Sequence, residues 1–196
     1  MDGNSILPQS FYDRDTLKVA RELLGSFLVR KIGRKIIRAR IMETEAYMGE
    51  DDLASHASKG RTPRTEVMYG EPGHAYVYMI YGMYHCLNIV TEQKDFPAAV
   101  LIRSVEIAPT PQSRRRDSSP QTGEQAPLLN GPGKLCRFLE IDRSLNSWDV
   151  MKGERLWIEP GAKVSSKDIH ADKRIGIDYA KHSKENLWRF TLKTEE

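Results

Sequence analysis

The sequence predicts an α+β fold: a single domain with a mostly antiparallel, curved β-sheet, flanking helices and a protruding β-hairpin. The 196-residue chain of 22.4 kDa has the size of one compact domain with a sizeable core. Its strand-like segments follow a leading helix without the alternating helices that build βαβ units. We therefore treat residues 1–196 as one domain.

A packing helix is predicted near the start of the chain, over about residues 14–24. The side chain of Asp13 is suited to cap its first turn, and Gly25 follows its end as a stop signal. The apolar positions fall on one helical face: Leu17, Ala20, Leu23 and Leu24.

A β-hairpin and a long polar loop are expected next. Two segments rich in β-branched residues, SFLVRKI and KIIRARIMETEAY, flank the turn signal at Gly33 and predict strands over about residues 26–32 and 35–47. Residues 49–73 are polar and rich in Gly and Pro, which predicts an excursion of loop and short turns from the sheet. Long loops on rigid scaffolds often carry function.

The rest of the chain predicts further strands and one more helix. The tyrosine-rich segment HAYVYMIYGMYHCLN predicts a strand, as do HCLNIVTE and the nearly continuous apolar run AAVLIRSVEI. Residues 110–130 are rich in Pro, Ser, Gln and Arg, which predicts a mobile surface loop. Beyond them, NGPGKLCRFLEI predicts a helix, and short strands are expected near RLWIE, RIGID and LWRFTL.

Composition argues against several classes of protein. No apolar run approaches the roughly 20 residues of a membrane helix, and the first ten residues show no signal-peptide pattern. We therefore expect a soluble, intracellular protein, in the cytoplasm or nucleoid of a bacterium or the nucleus of a eukaryote. Cys86 and Cys136 lack CxxC spacing, which favours reduced structural thiols. No metalloprotease, P-loop, GxGxxG or GxSxG motif occurs, so no metal or cofactor is indicated, although a metal site assembled in three dimensions stays open.

Basic residues are clustered, although the net charge is only +3. Three groups stand out: Arg30, Lys31, Arg34, Lys35, Arg38 and Arg40; Lys59, Arg61 and Arg64; and Arg114, Arg115 and Arg116. Such groups can neutralise phosphates, which makes binding fall steeply with salt. For the first group, the alternative is the solvated face and turn of a hairpin.

Two further patterns indicate a candidate site. Four tyrosines in the segment from His74 to Asn88 form a possible platform for stacking on nucleobases, with a buried strand as the alternative. On the second predicted strand, Glu43, Glu45 and Tyr47 share one face. Paired acids beside a tyrosine are unusual for a core, but an exposed edge paired with the preceding arginines would explain them structurally.

The order of these motifs resembles one family of repair enzymes. ETEAYMGEDDLASHASKGRTPRTEVMYGEPGHAYVYMIYGMYHCLN, followed by VLIRSVE and NGPGKLC, is similar to the alkyladenine (3-methyladenine) DNA glycosylases. These monofunctional enzymes excise alkylated purines and hypoxanthine from duplex DNA. The resemblance runs from SFYDRDTLKVARELLGSFLVR to RIGIDYA and LWRF, so it covers nearly the whole chain.

The resemblance implies catalytic roles for two residues. Glu45 matches the general base that deprotonates the water attacking the sugar C1′, and Arg103 matches the residue that holds this water and carboxylate. Cleavage of an N-glycosidic bond builds positive charge on the sugar, which a carboxylate stabilises. Glu43 is implied to be structural.

The resemblance also implies a base pocket and a wedge. Tyr47, His56 and Tyr78 match the residues that sandwich the extruded base. Asn88 matches the one whose amide crowds the 2-amino group that distinguishes guanine from adenine or hypoxanthine. Tyr81, beside the flexible Gly82, matches the side chain that enters the duplex from the minor groove, with Met83 alongside. Tyr76 and Tyr84 are interpreted as packing residues, with backbone contacts left open.

Weaker expectations concern the DNA backbone and the product. Arg61, Arg64 and Lys134 are the candidate phosphate contacts, the last because a Gly-Pro-Gly helix start can offer N–H groups to an anion. The segments QKDFPA and Pro109 to Gln125 match nothing in the family pattern. Nothing resembles the lysine nucleophile of bifunctional glycosylases or a Cys-rich cluster, so no lyase activity is expected. We also expect no cofactor, and a monomer that acts on double-stranded DNA with damaged purines.

Two other functions stay open at this point. A noncatalytic module could stack single-stranded bases on the tyrosines without needing Glu45 or Arg103. An unrelated carboxylate hydrolase could act on a small glycoside or nucleoside, for which a DNA-facing wedge at Tyr81 would serve no purpose. For the glycosylase, the expected substrates are 3-methyladenine, 7-methylguanine, hypoxanthine and ethenoadenine.

Overall fold

The computed structural model describes residues 5–108 and 127–193, in which nine strands form one antiparallel sheet. The strands are β1 (Phe27–Ile32), β2 (Lys35–Met48), β3 (Ala75–Ile80), β4 (Tyr84–Val90), β5 (Ala98–Ile107), β6 (Leu128–Asn130), β7 (Leu156–Glu159), β8 (Ile169–Asp172) and β9 (Arg189–Leu192). The main order is β3-β4-β5-β2-β1-β7, with β6 beside β5 and the pair β8–β9 beside β2. The predicted α+β class is confirmed.

Helices are few and short in the described part of the chain. The α-helices are α1 (Gln9–Tyr12), α2 (Thr16–Glu22) and α3 (Pro132–Phe138). Short 3-10 helices span His56–Lys59, Glu66–Tyr69, Arg143–Leu145, Ser166–Asp168 and Lys181–Glu185. The first two lie in the excursion predicted for residues 49–73, and a small cluster around Ala57, Met68 and Tyr69 packs this segment on the sheet.

The predicted first helix begins later than expected. Residues 9–12 form their own turn, α1, and Asp13 is its C-cap, with its N–H bonded to the carbonyl of Gln9. The N-cap of α2 is therefore Asp15, whose carboxylate accepts the N–H of Lys18 at 2.8 Å. Gly25 has a φ of +82°, as a residue just past a helix end requires.

Two other predictions need correction, one for a whole strand and one at the end of a loop. The segment RIGID is a loop, because Gly176 has a φ of +76° and interrupts the extended backbone; the strand in this region is β8. The predicted loop over 110–130 ends in strand β6, which pairs with Ser104 to Glu106. The rest of that prediction falls mostly on residues 109–126, outside the described residues.

The two faces of the sheet have different environments. Strand register places Ala75, Ile89, Val100 and Ala46 in one row across β3, β4, β5 and β2. All four belong to the main hydrophobic core, which also holds Val19, Ala20 and Leu23 from α2 and its C-terminal end, and Leu135 and Leu139 from α3 and its C-terminal end. The next row, on the opposite face, reads Tyr76, Asn88, Leu101 and Glu45. The helices thus cover one face and leave the polar row to form a site.

A β-bulge bends the long strand β2. Its pairing with β5 shifts on both sides of Glu43, and such irregularities bend a strand. Before the bulge β2 pairs with β1, and beyond it with β9. The bend therefore brings β9 and the loop before it next to Glu45.

Arg30 has neither of the roles considered for the first basic group. Only 7% of its surface is exposed, and its guanidinium donates to the carbonyls of Leu139, Glu140, Lys31 and Arg155 at 2.9 to 3.1 Å. It ties β1 to the segment after α3, since a guanidinium offers five donors in a fixed plane. Arg30 is structural.

The β3–β4 hairpin ends in a strained, exposed tip. Tyr81 and Gly82 have φ values of +50° and +71°, and the N–H of Met83 donates to the carbonyl of Ile80 at 3.2 Å, which is the pattern of a type I′ turn. Tyr81 is 86% exposed and Met83 67%. A tyrosine rarely adopts this conformation, so the turn lowers the stability of the fold while it points the ring of Tyr81 outward.

The strain at the tip leads to a testable expectation. Tyr81→Asn should raise the free energy of unfolding by about 1 kcal/mol, or Tm by about 2–4 °C, because asparagine tolerates positive φ and Asn-Gly suits a type I′ turn. Thermal unfolding measures the change. The control is Met83→Asn, because Met83 is also exposed at the tip but lacks a positive φ. Equal Tm values for the two variants would contradict the strain.

Candidate active site

A cavity of about 440 Å³ opens on the polar face of the sheet, and most of the predicted site residues line it. They are Glu45, Arg103, Tyr47, His56, Tyr78, Asn88, Tyr81 and Arg64. Met83, Arg61 and Lys134 do not line it. The residues meet because adjacent strands place their same-face side chains side by side, and because the loops after β2 and β8 fold over this face.

Glu45 is a fully buried carboxylate in the cavity wall. Its Oε2 accepts the hydroxyl of Tyr47 at 2.7 Å, and its Oε1 accepts the backbone N–H of Ile175 at 2.9 Å. The Nη1 of Arg103 lies 3.4 Å from Oε1. Burial raises the pKa of Glu45, while Arg103, Tyr47 and Ile175 favour the ionised form and oppose that rise. The site therefore holds a carboxylate of increased basicity in a fixed orientation.

Glu43 is paired differently from its neighbour. Its Oε1 lies 3.0 Å from Nη1 of Arg189 and 3.5 Å from Nε of Arg103. Arg103 thus bridges the two carboxylates, while Glu43 is anchored to β9. The alternative in which both glutamates lie on an exposed edge beside the preceding arginines is wrong, because both are buried.

The opposite wall of the cavity contains a neutral histidine. The Nε2 of His56 lies 3.3 Å from Nη2 of Arg64, and since a guanidinium only donates, Nε2 must be an acceptor. The proton then resides on Nδ1, which donates to the hydroxyl of Tyr76 at 2.9 Å. Burial, followed by the charges of Arg64 and Lys59, lowers the pKa of His56 to about 4.

Tyr76 lines the cavity, although the sequence analysis did not include it among the base-pocket residues. Its hydroxyl holds His56, and its backbone carbonyl accepts Nδ2 of Asn88 at 3.1 Å, which orients that amide. Its ring lies 5.2 Å from that of Tyr78, and the ring of Tyr78 lies 4.5 Å from that of His56. The signal was present in the sequence, because Tyr76 and Tyr78 are two residues apart on one strand and must share a face.

The sequence missed the loop after β8. Ile175, Gly176, Ile177 and Tyr179 line the cavity, and Ile175 supplies one of the hydrogen bonds to Glu45. Tyr179 is 68% exposed at the rim. No pattern in RIGID reveals a contact over 130 positions, since that contact depends on how β8 and β9 pair beside β2.

The three candidate phosphate contacts differ in their surroundings. Arg61 is paired with Glu66 and Asp95 at 2.8 and 2.9 Å, Arg64 lies in the cavity wall, and Lys134 is exposed on α3. The argument from the helix start weakens, because Pro132 has no N–H and the N–H groups of Lys134 and Leu135 donate to the carbonyl of Gly131.

Two observations apply to the described ranges 5–108 and 127–193. No three side chains of His, Cys, Asp or Glu are grouped there so that they could hold a metal ion. None of the helices in these ranges has the length and apolar composition needed to cross a bilayer. Both cysteines are buried and free.

Comparison with known proteins agrees with the chemistry of this cavity. Residues 10–196 match the family model described as Methylpurine-DNA glycosylase (MPG). A protein of Methanocella arvoryzae is 51% identical over 186 residues, which cover 94% of this chain and 91% of that protein. Relatives from Clostridium perfringens and Desulfitobacterium hafniense are 45% and 47% identical, each over 95% or more of both chains. All three bear the provisional name 3-methyladenine DNA glycosylase.

The histidine geometry can be tested directly by NMR. At neutral pH, His56 should be the neutral Nδ1–H tautomer, with a pKa near 4. Arg64→Met should raise this pKa, because a nearby cation and the donor to Nε2 are both lost. Arg61→Met is the control, since Arg61 pairs with Glu66 and Asp95 instead. Titration of the ring nitrogens decides; an unchanged pKa in Arg64→Met would refute the assignment.

Proposed function

The chain belongs to the methylpurine-DNA glycosylase family and is a DNA glycosylase, and on this premise we propose that it excises damaged purines from duplex DNA by a single hydrolytic step. The substrates are alkylated and deaminated purines of the 3-methyladenine, 7-methylguanine, hypoxanthine and ethenoadenine class. The observation that carries this proposal is the buried, polarised carboxylate of Glu45 in the wall of an aromatic cavity. The exposed tip of the β3–β4 hairpin at Tyr81 also lines that cavity.

Binding begins with extrusion of the damaged nucleotide. The protruding ring of Tyr81 enters the duplex from the minor groove, with Met83 beside it, and fills the space that the base leaves. Extrusion costs a few kcal/mol and costs least at damaged or mispaired bases, so lesion instability contributes to selectivity. The extruded purine enters the 440 Å³ cavity, whose size lies within the usual range for small-ligand sites.

Aromatic side chains hold the base in the cavity. Tyr47 stacks on one side, and His56 and Tyr78, whose rings are already in edge contact, form the other side. Asn88 is held by the carbonyl of Tyr76, so its amide stands in a fixed position and crowds the 2-amino group that distinguishes guanine from adenine and hypoxanthine. The neutral state of His56 avoids direct repulsion of a positively charged alkylated purine.

Hydrolysis then uses Glu45 as the general base. Each carboxylate oxygen has two acceptor positions, and Tyr47 and Ile175 use one on each. A water on a remaining position transfers a proton to Glu45 as its oxygen bonds to C1′, and the electrons of the breaking N-glycosidic bond leave with the purine. Arg103 holds the carboxylate, and the negative charge of Glu45 stabilises the cationic sugar as this bond breaks.

The leaving group differs among the substrates. The 3-methyladenine and 7-methylguanine nucleotides carry a positive charge, and their purines depart as neutral bases. Hypoxanthine and ethenoadenine are neutral in the nucleotide and depart only with protonation or strong hydrogen bonds from the pocket. No lysine lines the cavity within the described residues, which supports an abasic site, with an intact strand, as the product. The alternative function, a noncatalytic binding module, does not explain why Glu45 is buried beside Arg103.

Glu45→Gln should remove excision while keeping binding to damaged DNA, because the amide keeps the size of the side chain but cannot accept the proton. The expected loss is about 10²- to 10⁴-fold in rate. A duplex with one hypoxanthine is incubated with protein and then with alkali, which cleaves at abasic sites. Glu43→Gln is the matched control and should keep more than a tenth of the rate. If wild-type protein released neither hypoxanthine nor methylated purines, the enzymatic proposal would be wrong.

Tyr81→Ser should weaken extrusion more than it weakens association with DNA, because the hydroxymethyl group cannot fill the vacated stack. A duplex with a fluorescent purine analogue, bright when unstacked, reports the extruded fraction. Ile36→Ser is the control, since Ile36 is 47% exposed on another hairpin. Wild-type levels of unstacking in Tyr81→Ser would overturn the wedge role.

A further inference from the structure

Arg174 is buried beside the base pocket without lining it. Its side chain has no exposed surface, and its guanidinium carbon lies 4.7 Å from the ring centre of Tyr47 and 4.9 Å from that of Trp188. A guanidinium between two aromatic rings is held by cation–π and stacking contacts. One of the rings that holds Arg174 is thus the ring assigned to stack on the extruded base.

The hydrogen bonds of Arg174 join three elements of the site. Two of its nitrogens form a bidentate pair with Asp52 at 2.6 and 2.8 Å. Nη1 also donates to the carbonyl of Ala46, between Glu45 and Tyr47 on β2, at 2.8 Å. Nη2 donates to the carbonyl of Ser183 at 3.1 Å, beyond the loop that follows β8. The planar guanidinium of one side chain thereby fixes the distances between Ala46 on β2, Asp52 in the segment after β2, and Ser183.

Each of these contacts lies close to a group with a role in the proposed mechanism. Asp52 also accepts the N–H of Ala54, and its carbonyl accepts that of Ser55, the N-cap of the short helix that begins at His56. On the other side, the residue directly after Arg174 is Ile175, whose N–H donates to Glu45. A shift of the Arg174 guanidinium therefore moves both walls of the pocket. It also moves the N–H of Ile175, which is one hydrogen-bond partner of the general base Glu45.

Stability alone does not account for this ion pair. Buried ion pairs are often no more stabilising than apolar residues of the same volume. Arg174 even leaves its buried Nε without a hydrogen-bond partner among the described residues, which costs free energy. A flat, bidentate, stacked geometry is what arginine provides and lysine cannot.

We propose that Arg174, fixed by Asp52, is a positioning residue for excision: it sets the plane of the Tyr47 ring and aims the N–H of Ile175 at Glu45. This inference rests on the proposed function, because it concerns the geometry of that reaction. In this proposal, Arg174 contacts neither the extruded purine nor the attacking water. It acts through Tyr47 and Ile175.

The test compares two buried arginines, each with four hydrogen bonds, exchanged for lysine. Arg174→Lys should lower the single-turnover rate of excision about 10- to 100-fold, since misplacements of about 1 Å in a catalytic site have effects of this size. Affinity for damaged duplex should change less than threefold. Arg30→Lys is the control, because neither Arg30 nor the residues that accept its four hydrogen bonds line the cavity. This variant should keep the wild-type rate even where its Tm falls equally.

The pH profile separates positioning from simple loss of stability. The N–H of Ile175 lowers the pKa of Glu45, so losing this bond raises that pKa. Glu45 must be ionised to act, and the acid limb of the rate profile therefore moves to higher pH in Arg174→Lys. The hydrogen bond from Tyr47 also lowers the pKa of Glu45, so a turned Tyr47 ring shifts that pKa in the same direction. The other groups that face Glu45 remain in place: Glu43 from β2, Arg103 from β5, Tyr78 from β3, Cys86 from β4, and Arg189 from β9 through Glu43.

A second variant guards against misfolding, and the outcomes are distinct. Asp52→Asn keeps the shape but weakens the clamp, so it should shift rate and acid limb in the same direction by a smaller amount. Wild-type rates and profiles in both folded variants would overturn the proposal. So would failure of both to fold where Arg30→Lys folds, because the pair would then be a stability element. If wild-type protein itself releases no base, the proposed function is what fails.

Discussion

The burial of the Glu45 carboxylate is the constraint on which the rest of the site depends. An ion without exposed surface carries a penalty of several kcal/mol unless neighbours compensate it. The compensating groups come from three places: Tyr47 on the same strand, Arg103 on β5, and the backbone of Ile175 in the loop after β8. Those elements must meet at one point. The basicity of the carboxylate therefore depends directly on the arrangement of the fold.

The sheet allows this by dividing its two faces between packing and chemistry. One row of residues across four strands lies in the hydrophobic core under α2 and α3, and the neighbouring row carries Tyr76, Asn88 and Glu45 into the cavity. A sheet alternates its side chains strictly, so a shift of one residue in any strand would exchange the two rows. The strong apolar pattern of the core face therefore also specifies the register of the site.

The site also contains features that are unfavourable for stability. Tyr81 adopts a left-handed backbone conformation, and the carboxylate of Glu45 is fully buried. Arg174 has a buried Nε without a hydrogen-bond partner in the described part of the chain. Such features persist where the surrounding structure determines them and where function needs them. Here the hydrophobic core beneath the sheet compensates for their free-energy cost. The fold therefore tolerates the strained hairpin tip at Tyr81 and the buried Arg174–Asp52 pair.

Periodicity and turn signals in the sequence were enough to predict the α+β class, the β1–β2 hairpin, strand β5 and the shared face of Glu43, Glu45 and Tyr47, because these depend on neighbours along the chain. Family resemblance added further candidate site residues, most of which line one cavity, although Met83, Arg61 and Lys134 do not. The true N-cap at Asp15, the loop at RIGID, the site role of Tyr76 and the Arg174–Asp52 clamp were decided only by the tertiary structure. Each depends on contacts between residues distant in sequence or on competition between adjacent caps, and local pattern carries no information about which distant partner a buried charge will meet.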